Sequence, residues 1–287
     1  MTTRQHAALG LLLTAVAVLA LVAWTPDRGQ YSLGYNGPDG LAAFMETFGV
    51  TPTDLTPLMD QPERKFLLVL PRRDLAAQES QGLSDFVTAG GTLLVASNDQ
   101  RGGRLLEAWG IPLRLPSARL LDPVVNTGGE SLGMASSSLQ GSPQWQLVSA
   151  SHVLNADPDD VLAWSSAFSF SDENGDGEWE EREPVGPFAV AAVAALGRGH
   201  VVVLADPGML VQYALTRNQE FFSNLFQRQQ VYFYEASLPV SAQEQAQTLL
   251  LQALRTLQQP TGTIFVLALA AALAVWVWVP NQGTAND

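Results

Sequence analysis

The segment from residue 172 to residue 183 carries oxygen-bearing side chains at the spacing of a calcium-binding loop. With Asp172 as position 1, carboxylate or amide oxygens stand at positions 1, 3, 5, 9 and 12, and Gly177 stands at position 6, where such loops turn sharply. Ca²⁺ takes about six to eight hard oxygen ligands, so this spacing predicts a calcium site. The expected ligands are Asp172, Asn174, Asp176, Glu178 through its backbone carbonyl, Glu180 directly or through water, and Glu183 through both carboxylate oxygens.

Two residues distinguish this loop from one half of a paired calcium sensor. Trp179 stands at position 8, where paired loops usually carry an aliphatic residue, and Pro184 follows at once, where an exiting helix would need a free N–H. We therefore expect a lone loop, with an acidic solvated turn as the alternative, because Asn-Gly-Asp-Gly also favours turns. Extracellular loops bind Ca²⁺ at about 10⁻⁴–10⁻³ M, so the site would be filled outside a cell and empty inside it.

Polar residues also follow three apolar runs that are typical of buried parallel strands. Because ligands of such sheets bind beyond the carboxyl ends of the strands, we expect a small ligand-binding crevice there. Its candidate residues are Arg72, Arg73, Asn98, Arg101 and Asp206. Together with Arg104, these arginines could bind an anion through their forked N–H donors, with solvated loop arginines as the alternative.

Candidate catalytic groups are scarce. Residues 129–133 read Gly-Glu-Ser-Leu-Gly and match the Gly-x-Ser-x-Gly elbow of hydrolases, which would present Ser131 with His152 or His200 as a downstream base. The preceding apolar run ends four residues earlier and Ser-rich sequence follows, which favours a simple loop. His200 and Asp206 would stand at opposite ends of one strand, about 20 Å apart, so they cannot form a dyad.

The elements that must position these residues alternate between helix and strand in the first half of the chain. Helical apolar spacing, flanking glycines and continuous apolar runs indicate an α/β domain with a mostly parallel, doubly wound sheet. The second half is less regular. The predicted helices are residues 41–48, 75–87, 105–109 and 218–230, and the predicted strands are 65–70, 92–96, 113–125, 145–154, 190–196 and 200–205.

Two uncharged apolar runs, residues 7–24 and 262–280, are long enough to cross a bilayer as helices. The first also suits a secretory signal peptide, although its apolar region is longer than usual. Arg4 favours a cytoplasmic N-terminus and an exported middle. We therefore expect a two-pass cell-membrane protein with a flank 1–6, spans 7–24 and 262–280, an extracytoplasmic domain 29–237, a juxtamembrane amphipathic helix 241–258 and a tail 281–287.

The composition narrows the possible partners. A formal net charge of −13 argues against nucleic acid and against anionic lipid surfaces, which require basic patches. The chain has no cysteine, and this excludes disulfides, thiolate metal sites and cysteine nucleophiles. A protein, a small ligand or a cation is therefore the expected partner, besides the membrane itself.

Several motifs resemble a known family. They are Tyr-Asn-Gly-Pro-Asp-Gly at 35–40, residues 85–93, the run 199–206 and Asn-Gln-Glu-Phe at 218–221. Together they resemble the membrane-anchored domain-of-unknown-function family 4350 over most of residues 30–230. This resemblance implies a fold similar to class I glutamine amidotransferases and flavodoxin-like in outline, with gene neighbours that encode MoxR-type ATPases and von Willebrand A-type proteins. It implies no catalytic residue, and amidotransferases proper use a cysteine that this chain lacks.

These observations favour a function without catalysis. We expect a membrane-anchored extracytoplasmic module that binds a protein or a small ligand within a membrane complex, with calcium making the acidic loop rigid. The alternative is an exported, hydrolase-like enzyme. It would use Ser131 with a histidine, or Asp206 with Asn98 or Arg101 in the crevice at the strand ends.

Overall fold

A computed structural model of the chain describes Thr14 and residues 30–137, 144–227 and 229–238. The chain divides into two compact units: Arg28–Pro239 forms one, and Met1–Asp27 with Val240–Asp287 forms the other. Apart from Thr14, the predicted segments 1–6, 7–24, 241–258, 262–280 and 281–287 lie outside the described residues. Among the described helices, none has the length and hydropathy that a bilayer crossing requires.

The larger unit is a mixed α/β domain. Its described strands are β1 (Thr51–Thr53), β2 (Lys65–Val69), β3 (Thr92–Ala96), β4 (Arg119–Leu121), β5 (Met134–Ser137), β6 (Trp145–Gln146), β7 (Val161–Ser165), β8 (Phe170–Asp172), β9 (Ala189–Leu196), β10 (Gly199–Leu204) and β11 (Gln230–Tyr234). Nine of them form one sheet in the order β1-β11-β2-β3-β10-β9-β7-β5-β6, and β4 pairs with β8. The first five strands of this order are parallel, and the other four extend the sheet with antiparallel pairs. The predicted α/β class with a large parallel sheet is confirmed, and the antiparallel extension was not predicted.

Helices cover both faces of the sheet. Those of the described residues are α1 (Ala42–Phe48), α2 (Ala77–Thr88), α3 (Gln100–Ala108) and α4 (Gln212–Phe226). Phe66 and Leu68 of β2 enter the core beneath α1 and α4, whereas Leu67 and Val69 enter the core beneath α2 and α3. Successive strand side chains point to opposite faces, so a strand covered on both faces must be apolar throughout.

The elements predicted in the first half are confirmed with small shifts in their ends. Helix α1 ends at Gly49, whose φ of 60° is the left-handed conformation that glycine adopts freely. Helix α3 begins at Gln100, ahead of the predicted start at 105, because the Asp99 side chain accepts the Arg101 N–H at 2.9 Å. Gly102 lets this first turn approach β3, since a Cβ there would lie 2.5 Å from the Ser97 Cβ.

The second half departs further from the sequence prediction. Residues 113–125 and 145–154 do not form long strands. They contribute β4, β6 and two isolated bridges, Arg114 with Leu154 and Val153 with Ala189. Pro116 and Pro123 lack the N–H that a strand ladder requires, which explains the short β4. Helix α4 begins at Gln212 and ends at Phe226, so the predicted helix 218–230 was placed too late, and β11 was missed.

Candidate functional site

The crevice predicted at the strand ends is filled by the chain itself. In a doubly wound sheet, the ligand lies between neighbouring strands whose following helices cover opposite faces, which here are β3 and β10. Residues 147–151 occupy the carboxyl ends of these two strands. Asn98 Nδ2 donates to the Ser149 carbonyl at 2.8 Å, and the Ser151 N–H donates to the Ala205 carbonyl at 2.9 Å. Hydrogen bonds to this segment therefore close the crevice.

Asp206 belongs to the same closure. Its side chain is fully buried; one carboxylate oxygen accepts the Gly208 N–H at 2.8 Å, and the other accepts the Val148 N–H. Burial raises the pKa of Asp206 to about 8, while the two backbone donors act in the opposite direction. A carboxyl group enclosed in this way is not accessible to a ligand, so the structure gives Asp206 a structural position.

Arg72 packs on Tyr31 and not beside the other predicted arginines. Its guanidinium carbon lies 4.9 Å from the centroid of the Tyr31 ring, within the range of a cation–π interaction. Tyr31 is buried and has a φ of 64°, which is uncommon for an aromatic residue. Burial first, and then the charge of Asp206, raises the pKa of Tyr31. Arg72 thus packs on a buried ring that is close enough to Asp206 to feel its charge.

Three arginines line an open cleft beside that crevice, between α2 and α3. The cleft has a volume of about 330 Å³, and Arg73, Arg101 and Arg104 all contribute to its wall. Its apolar lining includes Leu75, Ala77, Leu105 and Ala108. Of the predicted ligand residues, Arg73 and Arg101 are therefore brought together with Arg104. We refer to this site as the arginine cleft.

Two of these arginines form exposed ion pairs. Arg101 Nη1 lies 2.5 Å from Asp99 Oδ2, and Arg104 Nη2 lies 2.5 Å from Asp74 Oδ1. The Arg104 and Asp74 side chains are 56% and 77% exposed, and the Arg101 side chain is 41% exposed. Pairs this exposed contribute about 0–1 kcal/mol to stability. They orient the guanidinium groups, but a ligand can replace the carboxylate partner at little cost.

Arg73 is held more firmly, by Glu79. Its Nη1 donates to Glu79 Oε2 at 2.9 Å and its Nη2 donates to Oε1, so the pair is bidentate. Glu79 also accepts the Ala76 N–H at 2.7 Å and the Tyr234 hydroxyl at 3.0 Å. The hydrogen bond from Arg73 is the first cause that lowers the pKa of Glu79 to about 2. Burial and then Glu79 raise the pKa of Tyr234 to about 12.

The residues of the alternative hydrolase do not form an elbow. Residues 129–133 lie in a turn before β5 that is closed by the bridge between Asn126 and Gly133, with no helix following. His152 is buried 4.7 Å from the Phe188 ring, and burial lowers its pKa to about 4. His200 is exposed at the start of β10, at the opposite end of the strand from Asp206, as predicted.

The predicted calcium loop folds as a compact turn after β8. Asp172 Oδ1 accepts a loop N–H at 2.8 Å, and its Oδ2 pairs with Arg119 Nη2 at 2.8 Å. The two carboxylate oxygens of Glu183 accept the N–H groups of Glu173 and Glu180 at 2.9 and 3.1 Å. Loop positions 1 and 12 are therefore both buried, and both stabilise the turn.

Two of the remaining predicted ligands, Asn174 and Asp176, cap the same turn. Asn174 Oδ1 accepts the Asp176 N–H at 2.9 Å, and Asp176 Oδ1 accepts the Glu178 N–H at 2.8 Å. Glu178 and Glu180 are exposed. Throughout the part of the chain that the structure describes, no group of three or more His, Cys, Asp or Glu side chains is disposed to hold a metal ion. Arg119 pairs with one carboxylate oxygen of Asp172, the first of the predicted ligands.

Residues 30–226 match the family described as Domain of unknown function (DUF4350), and this region is more than half of the chain. The chain belongs to the DUF4350 family. No curated protein matches it at a significant level.

Solved structures resemble the DUF4350 domain only in part. The mmIFT52 N-terminal domain is 13% identical, with a TM-score of 0.44 over 61% of this chain and 79% of that one. A β-galactosidase from Bacillus circulans sp. alkalophilus is 12% identical, with a TM-score of 0.34 over 55% of this chain and 23% of that one. Cytoplasmic protein STM3548 from Salmonella typhimurium is 10% identical, with a TM-score of 0.34 over 65% and 78%.

Sequence reasoning missed two features that shape the site of this DUF4350 domain. Nothing in the composition of residues 147–151 shows that they close the crevice, because their partners lie 50 or more residues away in the chain. Glu79 carried one local signal, since it stands in the first turn of the predicted helix 75–87, where a side chain can reach back to a backbone N–H. Its bond to Tyr234 had no such signal.

Proposed function

We propose that this chain is a non-catalytic binding and assembly module, anchored in the cell membrane with its α/β domain outside the cytoplasm. The observation that carries the proposal is the arginine cleft, in which three guanidinium groups surround one cavity of about 330 Å³. Their planar donors suit oxyanions, and the apolar lining suits an organic group. The domain thus resembles an amidotransferase-like scaffold that has a recognition site in place of a catalytic one.

The charge distribution supports recognition at this cleft. The chain has a formal net charge of −13, so its surface as a whole repels anions. The cleft gathers three of the fifteen basic side chains, each paired with one carboxylate, so it is closer to neutral than the chain as a whole. For partners, we propose a membrane protein, or the MoxR-type ATPase and von Willebrand A-type proteins that the family resemblance implies.

Site-specific photo-crosslinking from the full chain in its native membrane tests this proposal. A photoreactive residue at Ala108, which lines the cleft, is expected to capture a defined partner, and Arg101→Gln with Arg104→Gln is expected to reduce the yield severalfold. A photoreactive residue at Thr216, exposed on α4 over the other face of the sheet, is the matched control. Equal capture from both positions, or capture that ignores the arginines, would reject the cleft as the recognition site.

We propose further that the loop 172–183 takes up Ca²⁺ once the domain is outside the cell. The support is that Asp172 and Glu183, at loop positions 1 and 12, already face the same turn with buried carboxylates. Arg119 competes for Asp172, because its guanidinium already pairs with one oxygen of the Asp172 carboxylate at 2.8 Å. Calcium binding would therefore exchange one cation partner of Asp172 for another.

Replacing Arg119 with methionine is expected to strengthen calcium binding severalfold, and Asp172→Asn is expected to abolish it. At about ten times the dissociation constant, Ca²⁺ should stabilise the unmodified chain by about 1.4 kcal/mol, or a few degrees in melting temperature. Melting temperature and Trp179 emission, measured with calcium and with chelator, provide the readout, because Trp179 is exposed within the loop. No change in either quantity up to millimolar Ca²⁺ would leave the loop as a structural turn.

A further inference from the structure

The three arginines of the cleft differ in how many N–H donors they have left for a ligand. Arg73 directs both terminal nitrogens at Glu79, and its Nη1 also donates to the Asp74 carbonyl at 3.0 Å. Glu79 is itself fixed by Ala76 and Tyr234. Turning Arg73 toward a ligand would break this bidentate pair, so Arg73 serves as a fixed wall of the cleft.

Arg101 and Arg104 retain most of their donors. Arg101 donates through Nη1 to Asp99, and Arg104 donates through Nη2 to Asp74. The other N–H donors of these two guanidinium groups have no side-chain or backbone acceptor among the described residues. Asp99 also caps α3 through the Arg101 N–H and accepts a hydrogen bond from Ser97 at 3.1 Å, so it keeps the Arg101 side chain in place. These two arginines are oriented and still have donors to offer.

The existing ion pairs indicate which kind of anion would bind most tightly to Arg101 and Arg104. A ligand with a single carboxylate would form the same kind of ion pair that Asp74 and Asp99 already form with these arginines. An exposed pair of that kind contributes little binding energy. A phosphoryl dianion has three terminal oxygens, so it can accept from both arginines at once, with a second charge to attract them. The apolar lining from Leu75, Leu105 and Ala108 then lies beside the group that carries the phosphate.

We propose that the arginine cleft binds a soluble phosphate monoester of a compact apolar or aromatic group, with Arg101 and Arg104 as the phosphate-binding residues. This assignment rests on the proposed function and names the chemistry of its ligand. A volume of about 330 Å³ is at the small end of ligand sites, which suits one ring with its phosphate and not a two-chain lipid.

Isothermal titration calorimetry of the purified full chain with phenyl phosphate tests the assignment. At pH 8 the probe is a dianion, and we expect it to bind more tightly than benzoate or inorganic phosphate, each of which lacks one of the two recognised features. Arg101→Gln and Arg104→Gln are each expected to weaken phenyl phosphate binding about tenfold or more. Arg217→Gln, an exposed change on α4, is the matched control and should leave the affinity unchanged.

Three outcomes would overturn the proposal: benzoate binding as tightly as phenyl phosphate, phenyl phosphate binding that is indifferent to both arginines, or no binding of any probe. Vesicles containing phosphatidic acid separate the two sources of such a group, and arginine-dependent binding to vesicles without binding of phenyl phosphate would reject a soluble ligand. If the calorimetry fails while crosslinking from Ala108 still depends on Arg101 and Arg104, the ligand class is wrong and the recognition function stands.

Discussion

Asn218→Ala is expected to lower the free energy of unfolding by about 3–5 kcal/mol, because it leaves three buried backbone groups without partners. Asn218 is fully buried on α4. Its Oδ1 accepts the Gln146 N–H at 2.8 Å, and its Nδ2 donates to the carbonyls of Gln146 and Met209 at 2.9 and 3.3 Å. Each unsatisfied group costs about 1–3 kcal/mol, and the three are not fully additive.

The size of this effect follows from the position of β6. This two-residue strand is the last of the large sheet and pairs on one side with β5. The Asn218 amide takes the role of a neighbouring strand by satisfying both the donor and the acceptor of Gln146. Trp145, the other residue of β6, packs against Phe221 on the next turn of α4, with ring centroids 3.7 Å apart. Loss of the amide therefore also loosens an aromatic contact in the core.

Urea unfolding of the full chain measures this change. Asn218→Asp keeps the acceptor for the Gln146 N–H and places a carboxylate against two carbonyls, so we expect it to be at least as destabilising as alanine. Gln219→Ala, exposed on the same helix, should change the free energy by less than about 0.5 kcal/mol. A loss below about 1 kcal/mol for Asn218→Ala would show that β6 does not depend on this amide.

The helices and strands that could be predicted are those whose own residues indicate the structure, without reference to distant parts of the chain. Residues 92–96 form a strand over their predicted length because they are apolar on both faces and end at polar residues. Helix α1 ends where Gly49 allows a left-handed residue. Strand β11 also carried a local signal, because Val231, Tyr232 and Phe233 are typical strand residues. It was missed because the predicted helix 218–230 extended to the first residue of β11.

The unpredicted part depends on partners that are distant in the sequence. Pairing of β7 with β5 and β9 is specified by contacts across the sheet, and the short, small-residue strand β5 has no strong pattern of its own. Closure of the crevice depends on residues 147–151 meeting the ends of β3 and β10. The spacing of residues within one segment does not indicate which distant segment it will contact.

The candidate site shows the same division. The rule that ligands lie beyond parallel strand ends directed the prediction to the residues that follow β2 and β3, and two of these, Arg73 and Arg101, line the arginine cleft. The rule did not show that the Arg72 side chain would pack on Tyr31 and not line the same cleft as Arg73 and Arg101. Neighbouring residues in a loop can point to different surroundings, and only the packed structure distinguishes them.

The second large effect is expected in the pH dependence of stability, and it centres on Asp206. Burial raises the pKa of this carboxyl group from 3.8 to about 8 in the folded chain. Between these values the folded state holds a proton that the unfolded state has released, so the free energy of unfolding should fall as the pH rises toward 8. His152 acts in the opposite sense below about pH 6.5, because burial lowers its pKa to about 4 and acid favours the unfolded state. From pH 6.5 to 9 we therefore expect the change to come mainly from Asp206, because His152 is neutral in the fold and at least half neutral in the unfolded chain.

Asp206→Asn is expected to remove this decline, because an amide does not titrate. The amide can accept only one of the N–H groups of Val148 and Gly208 properly, so the variant should be less stable than the original chain at pH 6.5, by about 1–3 kcal/mol. As the pH rises to 9, the original chain loses stability and the difference should narrow. Urea unfolding at each pH measures both curves. His152→Phe is the control, and its free energy of unfolding should decline with pH over this range much as that of the original chain does. Parallel curves for the original chain and Asp206→Asn would mean that Asp206 is ionised in the fold, with its two backbone donors outweighing its burial.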